Sequence, residues 1–305
     1  MRHDHFPPPA PRRGSALTAA ALAGVCLTAA GCGGDGGSGA GPATASRPAS
    51  SAPSSSPSPR RPAAEDASPS AGRTSARPLP RGPLSGRTVV IDPGHNPGNR
   101  DHTREINASV DIGTGRKECD TTGTATDAGY AEAAFTLDVS RRLRTLLEGQ
   151  GARVVLTQDG DRPFGPCVDE RARIGNEQRA DAVVSVHADG SATGNRGFHV
   201  ILPAAVNGGG ADTAKIVAPS RELGERIAGN FVRLTGSAPS NYIGGGTGLD
   251  TRDDLGGLNL STVPKVFIEC GNMRDPKDAA LLTSEGWRRK AALGIAEGIG
   301  SYLKK

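Results

Sequence analysis

The chain has 305 residues and carries 36 Lys and Arg against 32 Asp and Glu, which gives a formal net charge of +4. Residues 87–305 hold 27 basic and 28 acidic side chains and nine of the ten aromatic residues, so the excess positive charge lies entirely within residues 1–86. The near-neutral remainder is long enough to bury a sizeable core, and it lacks the basic surface expected of a nucleic-acid-binding domain.

Residues 1–31 have the pattern of a secretory signal. A polar stretch ending in Arg12 and Arg13 precedes an apolar run, Ser15–Gly31, that is short for a membrane span. The run ends in Thr-Ala-Ala-Gly-Cys, which resembles a bacterial lipobox with Cys32 as the lipidated residue. We expect an exported protein anchored by Cys32 to the outer face of the cytoplasmic membrane, within the cell wall. An ordinary cleaved signal, which gives a secreted protein, and a retained anchor are the alternatives.

Residues 32–86 are rich in Gly, Ser, Pro and Ala and show no apolar periodicity. Such a composition cannot bury enough apolar surface to offset the entropy of ordering. We therefore predict a disordered tether over 32–86 and a folded domain over 87–305.

Strand and helix patterns alternate along that domain. Runs rich in β-branched residues predict strands at 87–92, 152–157, 182–187, 197–202 and 263–269. Apolar residues at helical spacing predict helices at 131–148, 168–179, 220–234 and 285–303. This alternation predicts a single α/β domain with a mainly parallel central sheet and helices on both faces. In such sheets the functional site lies at the carboxyl ends of the strands.

Three cysteines fall within the domain. Cys119 and Cys167 lie in polar, Gly- and Pro-containing segments, and we predict a disulfide between them. Cys270 follows an apolar run and is expected to be buried and unpaired. The alternative role, a catalytic nucleophile, lacks an accompanying histidine motif.

Three predicted strands end on polar groups: His95 follows IDPG, His187 ends VSVH, and Glu269 ends FIE. Each alone has an ordinary explanation, a hydrogen-bonded structural histidine or a solvated glutamate. Together they would meet at one rim of the sheet. Two imidazoles and a carboxylate suit an open catalytic zinc site, and a further carboxylate can take the proton of the attacking water.

The motifs VVIDPGH, SVHADG and VFIECGNM, in this order, resemble those of the zinc-dependent N-acetylmuramoyl-L-alanine amidases of the amidase-3 type. The resemblance spans about residues 87–303, and the GPCVDER and GYAE segments are similar to those of exported actinobacterial members. It implies a phosphorylase/hydrolase-like amidase fold and one Zn²⁺ per domain. His95 and His187 would be metal ligands and Glu269 the general base.

The resemblance also implies a third ligand, a glutamate at the start of the helix after the GH motif. Glu132 occupies that place. Its rivals, Glu105 and Glu118, lie in loop without an amphipathic helix behind them. Two other histidines are weaker ligand candidates, because His102 lies in a loop and His199 alternates with apolar residues along a strand.

The sequence departs from the family pattern in a polar insertion, Asn99–Ala128, which contains Cys119. The disulfide would hold this insertion beside the site, where it either shapes the groove for the stem peptide or is a stapled surface loop. On the predicted helix, Arg171 is expected to pair with an acidic neighbour, with substrate contact as a secondary role.

The Gly-rich segment Asn241–Asn259 is expected to form a mobile rim that admits a polymer strand, with flexible surface as the alternative. Asp250, Arg252 and Asn259 are its candidate substrate contacts, and Asn272 is a further one beside the catalytic segment.

The predicted reaction is hydrolysis of the amide bond between N-acetylmuramic acid and L-alanine of the stem peptide. The expected partners are the stem peptide and muramic acid, with membrane contact only through the lipid anchor, no nucleic acid, and a monomeric state. The alternatives are a non-catalytic peptidoglycan-binding lipoprotein and a zinc peptidase that cuts within the stem peptide.

Overall fold

A six-stranded sheet organises this protein, whose computed structural model describes residues 80–304. The predicted signal, the Cys32 lipidation site and residues 32–79 of the predicted tether lie outside the described residues. In chain order the strands are β1 (Thr88–Pro93), β2 (Ser109–Asp111), β3 (Arg116–Glu118), β4 (Arg153–Leu156), β5 (Ala182–Asp189), β6 (His199–Pro203), β7 (Asn207–Gly208), β8 (Ala211–Asp212), β9 (Leu249–Arg252) and β10 (Lys265–Asn272). The α-helices are α1 (Thr103–Ile106), α2 (Glu132–Gly149), α3 (Val168–Glu177), α4 (Val217–Thr235), α5 (Gly256–Asn259), α6 (Pro276–Leu282) and α7 (Glu285–Leu303).

The strand order in the sheet is β4-β1-β5-β10-β6-β9. Strands β4, β1, β5 and β10 are mutually parallel, whereas β6 runs antiparallel to β10 and β9 follows the direction of β6. The reversal has a simple cause: only a short loop joins β5 to β6, and a parallel connection needs a crossover of about a dozen residues or more. The predicted α/β fold with a mainly parallel sheet is confirmed.

The two faces of the sheet carry different side chains. On β1, Val89 and Ile91 join the main core with α2, α4 and α7, whereas Val90 and Asp92 point to the face covered by α3. This follows from the two-residue period of a strand. The α3 face has only a small apolar cluster, so it has room for the polar groups of the site.

Helix α2 forms where the periodicity predicts it. Its residues Phe135, Val139, Leu143 and Leu147 are spaced by about one helical turn and are fully buried. Helix α7, the last helix, packs against α2 and α4. Within residues 80–304, no helix has both the length and the apolar character needed to cross a bilayer.

The ordered domain begins before the predicted boundary at residue 87. Leu84 is fully buried in the main core, and its backbone N–H donates to the carbonyl of Gln150 at 2.9 Å. A single leucine carries no periodicity, so the sequence gives no signal that residues 80–86 pack against the end of α2.

Candidate metal centre

Two elements of the sheet deliver the predicted histidines to its carboxyl edge. His95 comes two residues after β1, and His187 lies near the end of β5, which pairs with β1. Glu269, on β10, is the register partner of His187 on the adjoining strand. The three side chains therefore meet at one rim because their strands are parallel neighbours.

Glu132, the first residue of α2, lies between the two histidines. Its Oε1 is 3.0 Å from His187 Nδ1, and its Oε2 is 3.2 Å from His95 Nε2. The same oxygens accept backbone hydrogen bonds, Oε1 from Ala188 at 3.1 Å and Oε2 from Thr124 at 2.9 Å. These bonds fix the carboxylate so that each oxygen faces one imidazole.

Glycine at position 94 allows the close approach of the two histidines. A Cβ atom there would overlap the His187 ring. His95 itself has a φ of 60°, a left-handed conformation that non-glycine residues rarely adopt. The backbone is thus held in an uncommon conformation at the point where the first histidine enters the site.

The donor set fits a zinc ion. His95, Glu132 and His187 each offer one ligand atom, and these atoms all lie within 4.8 Å of one another. One Glu132 oxygen lies 3.0 Å from His187 Nδ1 and the other lies 3.2 Å from His95 Nε2, so the carboxylate is within reach of an ion shared with both imidazoles. Two imidazoles and one carboxylate also leave a fourth position for water, as catalytic zinc sites require.

The electrostatics of the cluster favour a bound cation. Burial by itself would raise the pKa of Glu132, but the neighbouring His95 and His187 outweigh it and lower that pKa. Burial opposes protonation of His95, yet Glu132 and Asp120 outweigh it and raise the His95 pKa to about 10. Burial lowers the pKa of His187, which keeps that ring neutral and available as a ligand. The site therefore combines an ionised carboxylate with a strong attraction for positive charge.

Glu269 differs from Glu132 in its hydrogen bonding and in the direction of its pKa shift. Its Oε2 is buried and has no hydrogen-bond partner among the described residues. Burial raises the pKa of Glu269 well above its ordinary range, and the negative charges of Glu132 and Asp189 raise it further. A carboxyl group with a raised pKa and a free oxygen beside a metal site is suited to accept and return a proton.

Comparisons with known proteins agree with this geometry. The model of the Amidase_3 family, N-acetylmuramoyl-L-alanine amidase, matches residues 89–301. The N-acetylmuramoyl-L-alanine amidase Rv3717 of Mycobacterium tuberculosis is 40% identical over 225 residues, which cover 72% of this chain and 88% of that protein. The chain belongs to the Amidase_3 family.

Solved structures of actinobacterial amidases have the same fold. The amidase Ami1 of Mycobacterium smegmatis matches with a TM-score of 0.66 and 40% identity, over 72% of this chain and 98% of that one. Ami1 of Mycobacterium abscessus matches with a TM-score of 0.65 and 42% identity, over 72% and 100%. The resemblance read from the motifs is confirmed, and the chain is an N-acetylmuramoyl-L-alanine amidase that acts on peptidoglycan.

The rival ligands of this amidase lie apart from the cluster. Glu105 faces His102, with 3.8 Å between Oε2 and Nδ1, and Glu118 is exposed on β3. His199 is 2% exposed and is the register partner of Glu269 on β6. Its Nδ1 has no hydrogen-bond partner among the described residues. His199 does not belong to the cluster of His95, Glu132 and His187.

Two predicted substrate contacts of the amidase, Asn272 and Asn259, have fully buried side chains that bond backbone groups. Asn272 donates from Nδ2 to the carbonyls of Ser191, Ala192 and Asn195 and accepts from the N–H of Ser191 and Arg274, so it organises the loop after β5. Asn259 ends α5 and donates to the carbonyl of Asp253 at 2.7 Å. Neither amide presents a surface to a substrate.

The predicted mobile rim contains regular structure, since β9 joins the edge of the main sheet and α5 follows it. Arg252, at the end of β9, is part-buried and forms a two-point pair with Asp254, at 2.7 and 2.8 Å. Asp250 is also part-buried on β9. As substrate contacts, both stay predictions.

The predicted insertion packs against the metal site. The Sγ atoms of Cys119 and Cys167 are bonded in the structure, and Cys270 is buried and free. A cavity of about 250 Å³ opens beside the histidines, and its walls include Lys117 from β3 and Phe267 from β10. The insertion therefore contributes to the wall of the site.

Sequence reasoning missed a buried charge network under the site. Arg171, predicted to pair with an acidic neighbour, bonds both Asp92 and Asp120 at 2.8 Å. Asp92 also accepts from Lys265 at 3.2 Å. The available signal was a charged residue at an inward position of an apolar strand, as Asp92 and Lys265 both are.

Proposed function

We propose that this amidase hydrolyses the amide bond between the lactyl group of N-acetylmuramic acid and L-alanine with one zinc ion held by His95, Glu132 and His187. The observation that carries the proposal is the convergence of these three ligand atoms beside a buried carboxyl, Glu269, whose Oε2 has no partner within residues 80–304. Zinc, when bound, polarises the amide carbonyl and lowers the pKa of the attacking water.

The residues of the chain perform the proton transfers. Glu269 removes a proton from the water that attacks the amide carbon, and it then delivers that proton to the nitrogen of the departing L-alanine. The C–N bond breaks, the lactyl group leaves as a carboxylic acid, and the stem peptide leaves with a free amine. The raised pKa of Glu269 suits the second transfer, because the carboxyl must hold the proton until the amine takes it.

The test compares Glu269→Gln with Glu177→Gln, an exposed glutamate on α3. Because a general base contributes about 10²–10⁴-fold, Glu269→Gln should lose at least about 100-fold in hydrolysis of purified peptidoglycan while it retains zinc. Glu177→Gln should keep full activity. Mass spectrometry of the products should find intact stem peptides with a free L-alanine amine.

The same products separate the alternatives. Peptides cut within the stem would indicate a zinc peptidase, and zinc-loaded protein that binds peptidoglycan without releasing peptide would indicate a binding lipoprotein. Turnover of Glu269→Gln at the wild-type rate would overturn the proposed role of that residue.

We also propose export through residues 1–31 and anchoring by lipidated Cys32, with residues 33–79 as the tether of a monomeric enzyme. The support is the apolar run followed by the lipobox-like sequence. Labelled palmitate should enter the wild-type protein and not Cys32→Ser, which should appear in the medium. Equal labelling of both proteins would contradict the anchor.

A further inference from the structure

Asp120, in the insertion, places a buried carboxylate beside the metal site that has no role in the proposed reaction. Asp120 lies between the metal site and the buried charge network, and its side chain is 6% exposed. Its Oδ1 is 3.3 Å from His95 Nδ1, and its Oδ2 accepts from Arg171 at 2.8 Å and from Asn99 at 3.0 Å. Asp120 therefore connects a proposed metal ligand to the rigid side of the sheet.

The two ring nitrogens of His95 face different groups. Nδ1 is 3.1 Å from the carbonyl oxygen of Thr121, which can only accept, and 3.3 Å from the Asp120 carboxylate. Nε2 lies on the other side of the ring, 3.2 Å from Glu132 Oε2 and thus on the side of the proposed metal. When a metal binds Nε2, the remaining ring proton is on Nδ1 and can be donated to Asp120. A carboxylate that accepts from the second nitrogen of a ligand histidine fixes its ring and raises its basicity.

The position of Asp120 depends on Cys119, which precedes it in the chain, and on contacts with the start of α3. Cys119 is bonded to Cys167, the residue that precedes α3, and the Cys119 carbonyl accepts from Val168 at 2.8 Å. Arg171, one turn into α3, is the cation that binds Asp120. The disulfide thus joins the two short segments that carry the members of this ion pair.

We propose that Asp120 is a positioning residue that fixes His95 as an Nε2 metal ligand, and that the Cys119–Cys167 link holds Asp120 in place. The proposal rests on the proposed function, since it requires a metal on His95. The insertion would then have two roles, because it forms part of the wall of the site and also raises the affinity for the metal.

The test measures the zinc dissociation constant of the folded full-length protein by competition with a chromophoric chelator. Loss of an outer partner of a ligand histidine weakens metal affinity by about 10–100-fold. Because the Thr121 carbonyl remains, we expect Asp120→Asn to weaken zinc binding about 10-fold. A change of less than threefold would overturn the proposal.

Asp278→Asn is the matched control. Asp278 is also buried, at 4% exposure, and it also pairs with an arginine, Arg196, at 2.9 Å, but it lies on α6 away from the ligands. We expect it to lower stability and to change the zinc dissociation constant less than threefold. Equal weakening by both variants would show a general structural effect and would also overturn the proposal.

A nitrogen-15 correlation spectrum of the zinc-loaded protein gives an independent measurement. The wild type should show a protected proton on His95 Nδ1, and in Asp120→Asn that proton should exchange faster with water. Unchanged protection would contradict the positioning role.

If Asp120→Asn does not fold, the double variant Cys119→Ser/Cys167→Ser takes its place, because it keeps both charges and frees the segment. Weakening of threefold or more supports the proposal, and unchanged affinity overturns it. Failure of the wild type to bind zinc would instead overturn the proposed metal site, so the two failures are distinguishable.

Discussion

The two sides of the site are built by different means. On one side, His95 and His187 follow strands of the sheet and Glu132 begins α2, so hydrogen-bonded elements around the main core hold them. On the other side, the attachments of the insertion Asn99–Ala128 include a disulfide, a buried ion pair, a surface ion pair and backbone hydrogen bonds such as that from Val168 to the Cys119 carbonyl. The topology of the sheet and of α2 therefore brings the proposed ligands together, whereas the opposite wall depends on the contacts of an irregular segment, which also donates from Thr124 to Glu132.

The largest expected effect is on the sheet side, where His187→Ala removes a proposed ligand. We expect loss of stoichiometric zinc and a fall in peptidoglycan hydrolysis of about 1,000-fold, since a bound metal contributes several kcal/mol to such reactions and 1.36 kcal/mol is tenfold in rate. Metal content by atomic emission and the rate of peptide release measure the two effects.

The matched histidine on the insertion side is His102, which packs on Phe164 with ring centroids 5.1 Å apart. His102→Ala should keep its zinc and most of its activity. Zinc loss in His102→Ala as severe as in His187→Ala would remove the distinction between the two sides.

A smaller effect is expected from the link that fastens the insertion. Cys119 and Cys167 are 48 residues apart, and loop-closure entropy for such a loop gives about 4 kcal/mol as an upper guide. The double variant Cys119→Ser/Cys167→Ser should therefore melt about 10 °C lower, from about 2–4 °C per kcal/mol for a domain of this size. Circular dichroism in the presence of chelator removes the contribution of bound zinc.

Reduction of the wild-type protein provides the control for that experiment, because it opens the same link without a substitution. The reduced protein and the double variant should melt together. A melting temperature within 2 °C of the oxidised wild type would show that other contacts hold the insertion.

The smallest effect is expected from the surface link. Lys117 Nζ lies 3.0 Å from Asp254 Oδ2, and both side chains are more than 40% exposed. Exposed ion pairs contribute about 0–1 kcal/mol and are screened by salt. Lys117→Ala should change the melting temperature by at most about 3 °C. The change should be smaller in 0.5 M salt, where the Debye length is about 4 Å instead of about 10 Å at 0.1 M.

A drop of 5 °C or more in Lys117→Ala would contradict this ranking. Such a drop would show that the contact between β3 and the segment after β9 stabilises the insertion more than expected for an exposed ion pair.

Much of the site was accessible to sequence reasoning because it follows from periodicity. Alternating strands and helices predict a parallel sheet, and parallel neighbours bring their carboxyl ends to one rim. His187 and Glu269 are register partners for that reason. The start of an amphipathic helix likewise located Glu132, which lies between the two histidines.

Substrate contacts were less accessible, because polarity in a loop does not reveal where an amide points. The position of Asn272 near the segment of Glu269, and that of Asn259 in a Gly-rich stretch, favour them as substrate contacts. Both side chains turn inward to satisfy backbone groups of the loops that they support. A buried loop amide and an exposed one have the same local sequence signature.

The sequence by itself determined the α/β fold, the amidase family and the residues at the strand ends, since these depend on local periodicity and short motifs. Only the tertiary structure revealed that Asp120 reaches His95 and Arg171, across 25 and 51 positions of the chain. Such contacts depend on how an irregular insertion folds back over the sheet, and no repeating pattern of residues encodes that path.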